Sequence, residues 1–407
     1  MQRAHKIALD PTNKQATALA RAAGTARFAY NWALARWGEQ YQASLADPAL
    51  PKPSQYGLRK ELNSIKREAF PWMLESSKCA PQEAIIALGT AFKNFFAGRA
   101  KYPTFKKRGI HDSFKLSSGQ FKITGKKIRI PNIGWVRLRE ELRYLDAKQV
   151  SVTISRTAGR WFASVQCEIP DPAPAPVHVD DPAAVGVDVG VREYVLSDDT
   201  RYSVPRHLRH AQARLKRSQQ ALARKEKGSA NRAKARVKVA RLHAQVADAR
   251  SDWLHQLTTR IASTYPRIVI EDLNVAAMAK NHHLAMSITD ASFGEFRRQL
   301  AYKTPAHGSE LVIADRWFPS SKLCSVCGAK TKHLTLSQRE WTCQGCGTVH
   351  DRDLNAAKNL ATYPTAGSSS VAACGALLAS DLGNDSSPRS SRRGEAGTKH
   401  HDELVLV

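Results

Sequence analysis

The sequence predicts a mixed α+β and α/β chain divided into two parts, and three observations support this prediction. Apolar residues recur at helical spacing in residues 11–109, whereas short β-type runs separated by Gly and Pro fill residues 114–169. A proline-rich spacer, 170–176, precedes a region in which buried strands alternate with helices. A chain of 407 residues is long enough for two or three compact units.

The amino-terminal part begins with a predicted strand and a long helix. Residues 1–9 have a strand pattern, and Thr12 and Gln15 have the spacing of a capping box at the start of the helix. Further helices are predicted up to Gly98. The β-type runs of residues 114–169 predict a small barrel that the first strand completes.

A basic loop, residues 98–108, follows the helices. It mixes five cations with two aromatic side chains, a composition that suits a surface pairing with phosphates and stacking on bases. A solvated basic loop is the alternative. The candidate nucleic-acid contacts are Arg99, Lys101, Tyr102, Phe105, Lys106 and Lys107.

The second part begins with a buried strand, residues 184–190, and a hairpin-like return through 193–197. A second buried strand is predicted at 266–272, a helix near 293–302, and a further strand at 311–314. This alternation is typical of a sheet packed against helices.

Half of the excess positive charge lies in one segment. The chain has 62 Lys and Arg against 36 acids, a net charge of +26 and a pI near 10.0, so a polyanion is the expected partner. Residues 201–250 hold 15 of these cations against two acids, and their spacing predicts a helical hairpin that turns at Gly228 and Ser229. A solvated, charge-rich hairpin is the alternative. The candidate contacts are Arg214, Lys216, Arg217, Arg232, Lys234 and Arg236.

Several classes of protein are excluded by what the sequence lacks. The first residues lack the apolar core of a signal peptide, and no run approaches the roughly 18 apolar residues of a membrane span. The P-loop pattern of nucleoside triphosphatases is absent. Cys79, Cys167 and Cys374 lie without a pairing pattern, as in a reducing compartment. We therefore expect an intracellular, cytoplasmic protein.

Four cysteines near the carboxyl terminus form two C-x-x-C pairs separated by fifteen residues: Cys324, Cys327, Cys343 and Cys346. Two such knuckles closing on one ion supply the tetrahedral thiolate shell that structural zinc prefers. A redox dithiol and an iron–sulfur cluster are alternatives, although their typical spacings differ. A closed four-ligand site leaves no open position, so this zinc is expected to stabilise the fold rather than to catalyse.

Three acids lie where burial would be costly without a cation. Asp188 interrupts one apolar strand, Glu271 ends another, and Asp353 lies at the start of a helix on its inward face. Three converging carboxylates would hold a pair of Mg²⁺ ions, one activating water and one stabilising the leaving oxygen of a phosphoryl displacement. A strand-end cap or a surface salt bridge is the alternative for each acid alone.

Two neighbouring acids need separate explanations. Asp351 is predicted to cap the helix that carries Asp353. Asp272 competes with Glu271 as a ligand, although its place beside Leu273 and Asn274 favours a cap.

The motifs of both parts together resemble a known family. The chain is similar to TnpB, the OrfB-type transposon-encoded protein related to type V CRISPR effector nucleases, across roughly residues 1–362. The segments that carry the resemblance are 92–96, 101–106, 186–190, 270–273, 320–328 and 350–360.

This resemblance implies a bilobed enzyme with a β-barrel wedge, a helical recognition insertion and an RNase H-like (RuvC) nuclease domain interrupted by a zinc ribbon. The implied domains are a wedge-like barrel in 1–10 and 110–170, a recognition insertion in 11–109, a nuclease core in 180–317 with the basic helical hairpin 201–262, a zinc ribbon in 318–348, the last nuclease helix in 349–362, and a disordered tail in 363–407.

The resemblance also implies an activity and partners. The family uses a guide RNA encoded by its own element to find double-stranded DNA beside a short adjacent motif, and its acids cut that DNA. Asp188, Glu271 and Asp353 are by this resemblance the catalytic acids, and Lys78 and Gln82 resemble residues that recognise the adjacent motif. A nucleoid-associated prokaryotic location is implied as well.

Two other hypotheses remain open at this point. A transposase acting directly on element ends would use the same acids but would join DNA rather than only cut it. A regulator without catalysis would bind nucleic acid independently of Asp188.

Overall fold

The computed structural model describes residues 2–110, 112–170, 184–335 and 337–364. The residues up to Ala361 belong to one compact unit. Almost all of the predicted tail and of the proline-rich spacer lies outside the described residues. In the part of the chain that is described, no helix has the length and apolar character needed to cross a membrane.

In the first half, the described residues form seven strands and three helices, together with a short 3₁₀ turn at Pro71–Glu75. In chain order these are β1 (Gln2–Asp10), α1 (Asn13–Ala46), α2 (Gln55–Ala69), α3 (Cys79–Phe96), β2 (Ser113–Ser117), β3 (Lys122–Thr124), β4 (Lys127–Ile130), β5 (Gly134–Leu138), β6 (Lys148–Thr157) and β7 (Arg160–Glu168). The capping box at the start of α1 is confirmed, because Thr12 and Gln15 bond to each other's backbone N–H groups at 3.3 and 3.0 Å.

The predicted barrel is wrong, because within the described residues these strands form an open sheet. Their order is β2-β6-β7-β1-β5-β4-β3, so β2 and β3 are edge strands at opposite ends. The first strand does join the sheet, in its centre, between β7 and β5. Helices α1 and α3 pack against β2, and their buried residues share one hydrophobic core with the strands. The core is therefore completed by helices, and closure of the sheet is not needed to bury it.

The second half contains the remaining elements. They are β8 (Val185–Val189), β9 (Glu193–Leu196), β10 (Arg201–Ser203), α4 (His207–Ala223), α5 (Ala230–Thr264), β11 (Arg267–Glu271), α6 (Val275–Met278), α7 (Ala285–Ala291), α8 (Phe293–His307), β12 (Glu310–Ala314), β13 (Glu340–Thr342), β14 (Val349–Asp351) and α9 (Arg352–Ala361).

Two expected boundaries differ from these elements. The basic helical hairpin was expected from residue 201, but residues 201–203 pair with β9 as strand β10, and the helices run from His207 to Thr264. The last helix was expected from residue 349, but residues 349–351 pair with β13 before α9 begins. Short strands of three residues carry too little periodicity to be distinguished from the neighbouring helix in the sequence.

The second sheet places two of the predicted acids side by side, at the carboxyl ends of two neighbouring strands. Its order is β10-β9-β8-β11-β12, with β8, β11 and β12 parallel and the other two strands antiparallel. Ile270 of β11 pairs with Val187 of β8, so the next residues along these parallel strands, Glu271 and Asp188, lie side by side.

A glycine allows the last helix to reach this sheet. Helix α9 packs directly on β8, and a Cβ atom on Gly186 would lie 1.9 Å from the Ala357 carbonyl oxygen and 2.8 Å from Leu360 Cβ. No side chain fits in that space. Gly186 thereby sets the distance between the strand that carries Asp188 and the helix that carries Asp353.

We expect Gly186→Ala to destabilise the fold by roughly 3 kcal/mol, at the upper end of overpacking costs, because the added methyl group meets backbone atoms. Urea unfolding measures this free energy. Gly294→Ala is the matched control, since a Cβ at Gly294 in α8 meets no atom within 4 Å. Equal stability of the two variants would contradict the close packing of α9 on β8.

Candidate active site and metal centre

The three predicted acids converge from three elements. Asp188 comes from β8, Glu271 from the end of β11, and Asp353 from the first turn of α9. Burial, followed by the negative charges of Glu271 and Asp353, raises the pKa of Asp188 well above its usual range, while Arg352 and Arg339 act in the opposite direction. The register of β8 and β11 places Asp188 beside Glu271, and α9, whose first turn carries Asp353, packs on both strands.

Two of these acids are held by residues from the segments around the cysteines. Ser320 donates its hydroxyl to Glu271 Oε1. Arg339 donates to both carboxylate oxygens of Asp353, at 2.9 and 3.3 Å, and its backbone oxygen accepts the Arg352 N–H at 2.7 Å. Neither partner was predicted, because Ser320 lies 49 residues from Glu271 and Arg339 lies 14 residues from Asp353, beyond the reach of helix or strand periodicity.

Asp351 and Asp272 have distinct roles. The predicted cap at Asp351 is confirmed, because its Oδ1 accepts the Leu354 N–H at 2.8 Å. Asp272 pairs with Arg297 and Arg316, each at 2.5 Å, and these bonds hold the pKa of its carboxyl below the usual range.

The predicted cap at Asp272 is wrong. Asn274 caps α6 instead, by accepting the Ala277 N–H at 3.1 Å. With one oxygen of Asp272 bonded to each arginine, its carboxylate is committed to ion pairs rather than to the three-acid cluster.

The donor set of the three acids fits Mg²⁺. Carboxylate oxygens are the ligands that this hard cation prefers. Burial first, and then the negative charges of Glu271 and Asp353, raise the pKa of Asp188, and a divalent cation would relieve the repulsion among the three carboxylates.

The four predicted cysteines form one cluster. Their sulfur atoms all lie within 4.8 Å of one another, and the two cross-knuckle pairs, Cys324 with Cys346 and Cys327 with Cys343, have Sγ atoms 3.6 Å apart. A tetrahedral shell with zinc–sulfur bonds of about 2.3 Å places sulfurs roughly 3.8 Å apart. The residues therefore fit a structural zinc ion.

Both knuckles are closed by the same backbone turn. The N–H groups of Gly328 and Gly347 each donate at 2.9 Å to the carbonyl of the first cysteine of their pair. Both glycines have left-handed φ angles, 73° and 75°, which a residue with a side chain rarely adopts.

The zinc ribbon is tied to the helix that carries Asp353. On α9, Asn355 bonds to the Ser325 N–H and the Leu323 carbonyl at 2.9 and 2.7 Å, and Asn359 donates to the Ser320 and Leu323 carbonyls. Both amides are buried. The sequence analysis missed them, although two asparagines four residues apart on an inward helix face are a signal of buried polar contacts.

The candidate nucleic-acid-binding residues fall into two groups, one exposed to solvent and one half-buried. Most are exposed: Lys78, Arg99, Lys101, Tyr102, Phe105, Lys107, Arg214, Lys216, Arg217, Lys234 and Arg236. Gln82, Lys106 and Arg232 are half-buried. Arg232 donates to the Leu222 and Lys225 carbonyls at the end of α4, so its guanidinium stabilises the turn of the hairpin.

Lys106 also has a structural contact. Its Nζ lies 3.9 Å from the centroid of the Tyr30 ring, and its backbone N–H and carbonyl both bond to the Asn31 side chain, at 2.8 and 3.0 Å. An ion pair of 2.7 Å joins Arg27 of α1 to Asp112, which lies just beyond the basic loop. The loop is thus fastened to α1 at two places.

Three family profiles match the chain. One described as "Probable transposase" covers residues 164–282, one described as "Cas12f1-like, TNB domain" covers 293–360, and one described as "Helix-turn-helix domain" covers 1–45. The last span contains β1 and nearly all of α1, which is one continuous helix.

Relatives extend over nearly the whole chain. The "Putative RNA-guided DNA endonuclease" of Streptomyces pristinaespiralis is 40% identical over 100% of this chain and 98% of its own length. The InsQ protein of Escherichia coli K12, which has the same description, is 34% identical over 93% of this chain and 95% of its own length. The fold resembles the cryo-EM structure of a Cas12f1–sgRNA–target DNA complex, with a TM-score of 0.51 and 15% identity over 84% of this chain and 81% of that chain. With such identity over its full length, the chain belongs to the TnpB family of OrfB-type transposon proteins.

Proposed function

We propose that the protein is a transposon-associated, RNA-guided DNA endonuclease that hydrolyses phosphodiester bonds with two Mg²⁺ ions held by Asp188, Glu271 and Asp353. The observation that carries this proposal is the convergence of the three carboxylates from neighbouring strands β8 and β11 and from helix α9, which packs on both. Burial and the two neighbouring acids together raise the pKa of Asp188, which agrees with this arrangement. The names of the full-length relatives support guided DNA cleavage. The mixed sheet with parallel β8, β11 and β12 supports an RNase H-like (RuvC) core.

The surrounding residues position the carboxylates for this chemistry. When bound at such a carboxylate set, Mg²⁺ activates water and stabilises the leaving oxygen of an in-line phosphoryl displacement. Ser320 orients Glu271 through a hydrogen bond, and Asp351 fixes the first turn of α9, where Asp353 lies. Gly186 keeps α9 close to β8. These contacts reduce the freedom of the ligands before any metal binds.

The exposed basic surfaces are suited to the guide RNA and the DNA target. The basic loop is fastened to α1, so its exposed Tyr102 and Phe105 rings and its cations lie on a fixed surface. The exposed cations of α4 and α5 add a second basic surface. We assign both surfaces to phosphate backbones and stacked bases, and the guide to the element's own RNA.

Lys78 lies beside a cavity suited to the recognition of a short DNA motif. The cavity has a volume of about 350 Å³, and its polar lining includes Lys66, Lys78, Gln120 and Asn132. Gln82 lies one helical turn further along α3 and is half-buried. We assign Lys78 and Gln82 to the target-adjacent motif, because cationic and amide side chains bond to base edges.

The decisive experiment is sequencing of the RNA that co-purifies with the protein expressed from its native locus. We expect one discrete species with a constant scaffold and a variable end. Reprogramming the variable end should then redirect Mg²⁺-dependent cutting to a matched plasmid. Joined rather than cut products would support a transposase, and binding without cutting would support a regulator.

The ion pair between Arg339 and Asp353 predicts competition with metal. Arg339 occupies both oxygens of this carboxylate, so Arg339→Gln should tighten Mn²⁺ binding by up to about fivefold, as expected for a partly exposed pair. Titration followed by Mn²⁺ electron paramagnetic resonance measures this. Arg201→Gln is the control, because Arg201 pairs with the cap Asp351 at 3.4 Å. Equal affinity in both variants would show that Arg339 does not compete.

A further inference from the structure

One tryptophan on the active-site side of the second sheet is almost fully exposed. Trp317 has 84% of its surface exposed, more than any other large apolar side chain in the described ranges. It belongs to the segment 315–323, which links β12 to the first cysteine knuckle and which we call the bridging segment. An indole buries a large apolar area when it is covered, so leaving it in water has a cost.

The backbone that carries this indole is held by a turn of the bridging segment. The backbone N–H of Trp317 donates to Asp315 Oδ1 at 2.8 Å, and the backbone N–H of Phe318 donates to the Asp315 carbonyl at 3.0 Å. Such a side-chain turn restricts the backbone on which the indole is carried. Because Trp has only two side-chain torsions, an indole on such a backbone loses little conformational entropy when it binds a partner.

The residues on both sides of Trp317 bond to two acids at the carboxyl end of β11, one in the strand and one directly after it. Arg316, the preceding residue, pairs with Asp272 at 2.5 Å, and Ser320, three residues later, donates to Glu271. Trp317 therefore lies only three residues before Ser320, which bonds to Glu271, one of the three proposed catalytic carboxylates. The indole does not take part in either contact.

The surroundings indicate which partner would cover the ring. Lys322 gives the bridging segment an exposed cation that attracts a phosphate backbone, whereas the charge of Arg316 is paired with Asp272, and the indole offers a flat π-face. In a duplex the base faces are already stacked on each other, so only an unpaired base can stack on a protein ring.

We propose that Trp317 is the stacking platform for an unpaired nucleotide of the DNA strand that enters the three-acid site. This inference rests on the proposed nuclease function, because it assumes a DNA strand at Asp188, Glu271 and Asp353. Stacking next to Glu271 would fix the register of the strand relative to the carboxylates.

The test uses a short oligodeoxynucleotide with one 2-aminopurine, whose fluorescence is quenched by stacking. The full-length protein carries Asp188→Asn to prevent cutting, and high salt weakens contacts to phosphates. Trp317→Ala should weaken the quenched complex roughly 5- to 150-fold, as expected for one stacked base, whereas Trp317→Phe should retain most of the affinity. Trp135→Ala, which removes an exposed tryptophan from β5, should have no effect.

Two results would overturn the proposal. One is unchanged binding by Trp317→Ala. The other is an equal loss for single strands and for an intact duplex, which would indicate a general structural effect. The stacking test measures binding without cutting, so it can fail while the proposed function holds. Failure of the proposed function would instead appear as a protein with native Asp188 that does not cut guided targets.

Discussion

Asp188→Asn is expected to abolish DNA cleavage, with a loss of at least about a thousandfold, while nucleic-acid binding stays nearly unchanged. The substitution removes one negative charge from the carboxylate set and changes no basic surface. A metal ion contributes several kcal/mol to a phosphoryl-transfer transition state, and each 1.36 kcal/mol corresponds to about a tenfold change in rate. Cleavage of a guided plasmid target and a filter-binding assay measure the two effects.

Asp199→Asn is the matched control. Asp199 lies in the turn between β9 and β10 of the same sheet, outside the three-acid cluster, with a left-handed φ of 66° that Asn tolerates well. Its loss of charge should leave cleavage unchanged. Undiminished cutting by Asp188→Asn would contradict the assignment of the active site.

The effect of Asp188→Asn can also be measured through stability, which does not depend on activity. The folded pKa of Asp188 is raised by burial and by the neighbouring carboxylates. Its stabilising contribution is therefore fully present below the unfolded pKa, about 3.9, and is lost as pH rises through the raised folded pKa. Asn does not ionise, so the metal-free variant should melt at a higher temperature than wild type at neutral pH. Added Mg²⁺ should stabilise wild type more than the variant.

Cys343→Ser is expected to remove zinc and to unfold the zinc ribbon. Structural zinc sites couple metal binding to folding, and apparent binding free energies reach about 10–16 kcal/mol in small zinc domains. Cleavage should be lost as well, because α9, which carries Asp353, is bonded to the ribbon through Asn355 and Asn359. Zinc content by mass spectrometry and proteolysis of residues 318–348 measure the outcome.

Cys79→Ala provides the comparison for this prediction. Cys79 is a buried thiol at the start of α3, outside the cysteine cluster, so its removal should leave the zinc stoichiometry at one. A soluble, zinc-free and active Cys343→Ser protein would disprove the structural role of the metal.

The chemistry of the site was predictable from the sequence because it depends on residue type and local spacing. Two C-x-x-C pairs predict four thiolates whose distances are set within each knuckle, and the cluster of sulfur atoms agrees with that prediction. An acid in an apolar strand is unusual enough to be noticed wherever it lies. Asp188 and Glu271 were recognised in this way, and the resemblance to TnpB added the same residues independently.

The predicted barrel failed for a reason that local patterns do not contain. Alternating apolar residues show that a strand buries one face, but they do not show whether another strand or a helix covers it. Helices α1 and α3 supply that cover, so β2 and β3 remain edges of an open sheet. The assignment of Asp272 as a cap failed similarly, because Arg297 and Arg316 reach it from α8 and from the bridging segment.

The sequence by itself determined the residue types of the cysteine cluster and of the three-acid cluster, the basic surfaces and most of the helices and strands, because each depends on neighbours within a few positions. Only the tertiary structure decided which distant side chains meet at the acids. Ser320 bonds to Glu271 and Arg339 to Asp353 because the ribbon and α9 pack together, and α9 packs on β8 because Gly186 leaves no side chain between them. Such contacts arise from packing between segments far apart in the chain, and the spacing of residues within one segment does not reveal them.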